Sequence, residues 1–243
     1  MYYVGFLSEL PNSLNSVYKF LMDGGVFMFC LLLLSFLSVT VILMKLVSLR
    51  EQRVVPKKVQ KAMKGAQEYI EADNVINLVN CLRSNPSALS RIGLGVIEGA
   101  PSSRIESSST AEARAREEIV VLERGIALLE VVITIAPLLG LLGTVSGLVG
   151  VFSNVDIEGA GSSRVQVSSG IAEALNTTIA GLAVAVPTVI AHSYFTKKLE
   201  RMGVPMEVLT DNLISAFYKN PSEILYSKLK GLVGDKDKQG ENN

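Results

Sequence analysis

Three stretches without a charged side chain constrain this chain more than any other feature. Residues 24–44, 131–155 and 174–196 contain no Asp, Glu, Lys or Arg. Each meets the roughly 20 apolar residues needed to cross the hydrocarbon of a bilayer. A buried helix of that length in a soluble protein usually keeps a polar stripe, whereas these windows are interrupted only by Ser, Thr, Asn and His192. The mean hydropathy of +0.37 agrees. The pattern predicts an all-α integral membrane protein with three transmembrane helices. The first window does not read as a signal peptide: its apolar stretch is long, no A-x-A-like site follows, and Lys19 is the one cation before it. It is expected to stay attached.

Cations near the spans set the orientation, because inner flanks are enriched in Lys and Arg. Lys45, Arg50, Arg53, Lys57, Lys58, Lys61 and Lys64 follow the first window, Arg114, Arg116 and Arg124 precede the second, and Lys197, Lys198 and Arg201 follow the third. The connection between windows two and three holds only Arg164. The amino terminus is therefore expected outside and the carboxyl terminus inside. Cys30 lies in the first span and Cys81 in the cytoplasmic segment, where neither placement suits a disulfide.

The expected organisation begins with an outer amphipathic segment (1–22), in which Phe6, Leu7, Leu10, Leu14, Val17, Tyr18 and Leu21 recur at helical spacing and Pro11 argues for a break. Transmembrane helix 1 (23–45), a cytoplasmic helical segment (46–124), transmembrane helix 2 (125–155), an outer connection (156–173), transmembrane helix 3 (174–196) and a cytoplasmic helix (197–233) follow. A polar tail (234–243) is expected to be disordered. Pro56, Asn85-Pro86 and Ala100-Pro101-Ser102-Ser103 divide the cytoplasmic segment into short helices rather than strands.

A capping box at Ser109-Thr110-Ala111-Glu112 would start the last of these helices. Ile119, Leu122, Ile126, Leu129 and Ile133 then carry a three-and-four seam into the second span. Leu199, Met202, Met206, Leu209, Leu213 and Ala216 repeat that spacing after the third, where Pro205 is expected to bend or break the helix. Helices two and three should thus extend well into the cytoplasm.

Gly140, Gly143, Gly147 and Gly150 recur three and four apart in the second span, and Ala174, Gly181 and Ala185 stand in the third. Such small-residue faces let backbones approach closely and suggest an oligomer. Pro137 and Pro187 are expected to kink their helices. Thr144 and Ser146 in the second span, and Asn176, Thr177 and Thr178 in the third, are polar inside the membrane. Thr144 and Thr178 both stand seventeen residues from Gly161, so straight antiparallel helices would bring them to similar depth. Several subunits would then make a ring of hydroxyls. Glu173, at the outer end of the third span, reads either as a pore-mouth group or as an interfacial anchor.

No ionisable carboxylate or amine lies deep in a span, although proton relays normally need one. A proton-moving role would require a partner to supply it. The G-x-x-x-x-G-K-[ST] loop for ATP is absent. Ser146 and His192 could suggest an intramembrane Ser-His enzyme, but His192 mirrors Glu130 near the inner boundary, about sixteen residues or roughly 24 Å from the level of Ser146 at helical rise. The pair fails on depth. His192 is expected at the interface or beside Glu130. No catalytic residue, cofactor, metal site or nucleic-acid partner is expected.

The run Ile135-Ala136-Pro137-Leu138-Leu139-Gly140-Leu141-Leu142-Gly143-Thr144-Val145-Ser146-Gly147, with Gly170-Ile171-Ala172-Glu173-Ala174-Leu175 and then Thr178, Gly181 and Pro187, resembles the MotA/TolQ/ExbB proton-channel family, and more closely its ExbB/TolQ branch. MotA has four spans, against three here. The resemblance implies a homopentamer around the transmembrane helices of a smaller single-span partner like ExbD or TolR, whose intramembrane Asp carries protons. It further implies a TonB- or TolA-like protein that receives the work. Carried over, Thr144, Thr178 and Glu173 would line the ion pathway. Ser146, Asn176 and Thr177 are additional candidates for the pore lining, with the facing of Thr177 left open.

The expected function is that of an ion-driven stator subunit of the bacterial inner membrane, energising outer-membrane transport or envelope maintenance. The resemblance implies a proton, while hydroxyls suit proton and sodium alike. A non-conducting membrane scaffold is the alternative that the glycine faces also permit.

Overall fold

The computed structural model describes residues 25–99, 103–153 and 162–219, with the side chains of 162–166, 169 and 173 left out. The amphipathic segment 1–22, the centre of the outer connection and the tail 234–243 lie outside the described residues. Among those described, every regular element is a helix.

Helix α1 spans Gly25–Ser48 and enters through Gly25 at φ +59°, a left-handed conformation that glycine adopts without a Cβ penalty. The short helices α2 (Glu51–Val54), α3 (Lys57–Lys64), α4 (Ala66–Glu71), α5 (Val75–Ser84) and α6 (Ala88–Gly99) follow, and then the long helices α7 (Arg104–Ser153) and α8 (Ser162–Lys219). Three of these, α1, α7 and α8, are long and apolar enough to cross a membrane.

The chain divides into two compact units. One comprises residues 1–44 and 125–194, the other 45–124 and 195–243. In the first unit, Leu31 from α1, Val132 and Ala136 from α7 and Ala185 from α8 form a small core, with Leu34, Leu139, Ala180 and Val184 packed against it. Most of the large side chains point outward: Phe29, Leu33, Phe36, Leu138, Leu141, Ile179 and Ile190 are all exposed. Exposed apolar surface on this scale is costly in water and suits lipid. Ser38 and Thr188, both buried, are joined by a 2.7 Å hydrogen bond between α1 and α8.

The second unit has a conventional water-soluble core, made by Leu49, Val59, Met63, Leu78, Leu82, Leu89, Ile92, Val96, Phe195, Leu209, Leu213 and Phe217. Burying each such side chain stabilises it by roughly 1.5–3 kcal/mol. Asn85-Pro86 ends α5, and Ser87 caps α6 by accepting the Ser90 amide at 3.2 Å. Asp73, at φ +52°, makes the turn between α4 and α5. Arg91 of α6 grips the buried carboxylate of Glu118 on α7 through both Nε and Nη2. That hydrogen bond raises the Arg91 pKa above the ordinary guanidinium value against the opposing effect of burial. Buried Lys45, in the last turn of α1, donates from Nζ to the Leu122 carbonyl of α7 at 2.7 Å.

Two local expectations change. Helix α7 starts at Arg104 rather than at Ser109, because Ser103 accepts the Glu106 amide at 3.1 Å and supplies an earlier cap. Ser107, buried inside that first turn, donates to the Val96 carbonyl of α6 at 3.1 Å, which anchors the extension. Pro205 does not break α8. Its neighbours Met202, Met206, Leu209 and Leu213 are all buried, and their packing offsets the one helical hydrogen bond that proline forgoes. The helix assignment also runs on through Pro137 and Pro187.

Candidate functional site

The glycine-bearing face of α7 and the small-residue face of α8 meet inside the first unit, and their closeness follows from what a side chain would encounter there. A Cβ on Gly140 would lie 2.9 Å from the Thr177 carbonyl oxygen and 3.0 Å from the Thr178 Cα. One on Gly143 would lie 2.5 Å from Thr177 Oγ1, and one on Gly147 2.9 Å from the Ala174 Cβ. On the opposite side, a Cβ on Gly181 would approach the Ala136 carbonyl oxygen to 2.6 Å. Only hydrogen fits at these positions. Gly170, which the sequence reading had not singled out for packing, meets Val151 in the same way. A Cβ on Gly150 would meet nothing within 4 Å, so among the described residues the close approach of that glycine row ends at Gly147.

This contact sets the register of the two antiparallel spans. Gly143 opposite Thr177 places both residues seventeen positions from residue 160, one short of the expected centre. Thr144 therefore stands level with Asn176. Thr178 lies two residues further from the connection, an offset of about 3 Å at helical rise.

The hydroxyls differ in their surroundings. Thr177 is buried at 3% exposure and donates toward two carbonyls, Ala174 at 2.7 Å and Gly140 across the helix pair at 3.2 Å. Its facing, open in the sequence, is inward against α7. Thr178 is half-buried, and its Oγ1 donates to the same Gly140 carbonyl at 3.1 Å. Thr144, one turn beyond Gly140, is also half-buried and donates back to Leu141 at 2.7 Å. Asn176 is half-buried and Ser146 exposed. The side chain of Glu173 lies outside the described residues. Pro137 is half-buried and Pro187 exposed.

Thr177 and Thr178 thus share the Gly140 carbonyl, where the lack of a Cβ opens the backbone oxygen to hydroxyl donors from the neighbouring helix, while the Thr144 hydroxyl is turned to Leu141 on its own helix. Both half-buried threonine hydroxyls also keep acceptor lone pairs for a further donor. Ser146 and His192 are not brought together with a partner for nucleophilic chemistry, and no ion pair joins His192 to Glu130 among the described residues. The Ser38–Thr188 bond was not anticipated either. Nothing in the sequence set Ser38 and Thr188 apart from the other hydroxyls of their two windows.

Helices of this length, apolarity and close small-residue packing define a multi-pass, all-α membrane protein. The MotA/TolQ/ExbB proton channel family matches over residues 86–207, which include all of α7 and most of α8. An ExbB-like biopolymer transport protein of Synechocystis is 37% identical over 188 residues, covering 74% of this chain and 69% of that protein. The biopolymer transport protein ExbB of Helicobacter pylori is 33% identical over 88 residues, 36% of this chain and 60% of its own length. For the exbB1 biopolymer transport protein of Vibrio cholerae the figures are 43% over 83 residues, 34% and 36%. The chain belongs to the MotA/TolQ/ExbB proton channel family, on the ExbB side of it.

Proposed function

We propose that this protein is the large subunit of an ion-driven motor in the bacterial inner membrane, assembled as a homopentamer around a single-span, ExbD/TolR-like partner that carries an intramembrane Asp. Ion flow through the assembly would move a TonB- or TolA-like protein and so energise outer-membrane transport or envelope maintenance. The observation that carries this reading is the pair of half-buried hydroxyls, Thr144 and Thr178, on spans whose central windows contain no ionisable carboxylate or amine.

Each hydroxyl can donate and accept at once, which suits it to pass a proton to, or coordinate an ion beside, a partner carboxylate. The missing titratable group fits a pathway completed by another chain. The Gly140–Gly143–Gly147 contact with α8 keeps the two threonine-bearing helices in register. Glu173 takes the mouth of the pathway, and the expected topology places the amino terminus in the periplasm and the carboxyl terminus in the cytoplasm.

The test is to purify the protein with its bound single-span partner from native membranes, reconstitute the complex and follow proton flux under an imposed potential. Thr144→Val and Thr178→Val should each lower flux at least about tenfold while leaving the complex assembled, the order of effect expected when a positioned proton-transfer group is lost. A complex that never conducts protons or sodium, or full flux in both variants, would move the assignment to a scaffold.

A further inference from the structure

The three inner flanks of the spans carry their cations differently. Residues 50–64, directly after α1, contain Arg50, Arg53, Lys57, Lys58, Lys61 and Lys64 against the single acid Glu51, a net of +5. Residues 104–124, which lead into the second span, hold four cations and five acids. There, Arg114 pairs with Glu98 and Glu117, and Arg116 with Glu112. Residues 197–211, after the third span, hold three of each sign. Topology alone asks only for cations on the inner side, and all three flanks supply them. The first flank is distinct in leaving its charge uncompensated: all six cations are exposed, and none is in an ion pair among the described residues.

Structure also holds this charge in place. Helix α3 is strongly amphipathic and buries Val59, Ala62 and Met63. Met63 reaches to Gly93 of α6, where an added Cβ would lie 3.4 Å from its terminal methyl. Gln60 Nε2 ties the helix to the Val55 carbonyl at 3.0 Å. With the apolar side committed to the core, Lys57, Lys58, Lys61 and Lys64 are left on the outer face. Arg50 is two residues beyond the end of α1, and Lys57 lies less than roughly 32 Å from it even on a fully extended chain. The nearest acids further along, Glu68 and Glu71, lie on α4.

We propose that residues 50–64 form a docking surface for anionic phospholipid headgroups at the end of the first span. A preformed row of exposed cations, tethered within a few residues of a transmembrane helix, matches the charge of a phosphatidylglycerol-type surface. Long Lys and Arg stems let the charged ends reach the headgroups while the helix stays packed on its own core.

The full chain, reconstituted in dioleoyl phosphatidylcholine vesicles with a trace of spin-labelled phosphatidylglycerol or spin-labelled phosphatidylcholine, gives the measurement. Electron spin resonance reads the fraction of each lipid immobilised at the protein. The wild type should prefer phosphatidylglycerol about fivefold, and the preference should fall to about one in the K57Q/K58Q/K61Q/K64Q variant, since each juxtamembrane cation contributes to the attraction. It should also collapse near 1 M salt, where screening shortens to about 3 Å. A K57R/K58R/K61R/K64R variant should keep the preference, and R114Q/R116Q, which removes already paired cations, should leave it nearly unchanged. Equal immobilisation of both lipids by the wild type would overturn the proposal. So would a preference that survives in the glutamine variant while a co-purifying acidic protein is lost, or one that disappears as fully in R114Q/R116Q. None of these readouts depends on ion conduction.

Discussion

Among the described residues, 25–44, 125–153 and 167–194 bury the small residues Ala136, Gly140, Gly143, Ala174 and Gly181 with Ser38, Thr177 and Thr188 and expose most of their Leu, Ile, Val and Phe, whereas 45–99, 103–124 and 195–219 bury Leu, Met and Phe and expose most of their Lys, Arg and Glu. The contrast follows from the solvent. Lipid tails are as apolar as Leu, so burying Leu between spans gains little, and cohesion there comes from close backbone approach and hydrogen bonds. In water the apolar area removed from solvent is the main driving force. One chain uses both solutions, and each predicts its own response to substitution.

The largest expected effect comes from filling the glycine contact. Gly181→Leu should cost about 3 kcal/mol or abolish the folded state, because a backbone carbonyl stands where its Cβ must go. Gly150→Ala, whose Cβ would meet no described atom within 4 Å, should be tolerated within about 0.5 kcal/mol. Unfolding in mixed micelles compares the two. A costly Gly150→Ala would show that atoms beyond the described residues pack there.

In the other unit, Arg91→Leu strands the buried Glu118 carboxylate. Losing one member of a buried pair costs about 3–5 kcal/mol, but the Arg91 side chain is 53% exposed and solvent screens the charge, so about 2 kcal/mol is expected. Adding Glu118→Leu should restore most of it, as thermal melts would show. Because the Arg91 pKa is raised on folding, the pair's contribution is present below the ordinary guanidinium pKa and is lost only as pH rises through the higher folded value. Melts across neutral pH should therefore not detect its loss.

Thr177→Val tests the difference between adjacent hydroxyls. It removes one buried hydroxyl donor, shared between the Ala174 and Gly140 carbonyls, at nearly constant shape and should cost about 1 kcal/mol while sparing ion flux, unlike Thr178→Val. Flux lost to the same degree in both variants would erase the distinction between the packed and the half-buried threonine. The smallest effect belongs to Ser38→Ala, about 0.6 kcal/mol by micellar unfolding, a typical value for one hydrogen bond between helices in a membrane.

Chain order alone carried the three spans, the all-α class and the family, because a charge-free run of this length has few other stable environments and the glycine-threonine motifs are local. The antiparallel partnership of α7 and α8 was legible to within a residue for a similar reason: a short connection leaves helices little freedom of register. Facing was not legible. Thr177 and Thr178 are neighbours in sequence about 100° apart around a helix, and only the packed α7 shows which of them turns inward. The row of glycines likewise looked uniform, yet a Cβ on Gly143 would run into Thr177 while one on Gly150 would meet no described atom within 4 Å. Arg91 with Glu118, Lys45 with the Leu122 carbonyl, and Ser38 with Thr188 join positions 27, 77 and 150 residues apart. Composition and periodicity determine what each segment can do alone; which distant groups meet depends on how closely two helices approach, and that distance exists only in the folded chain.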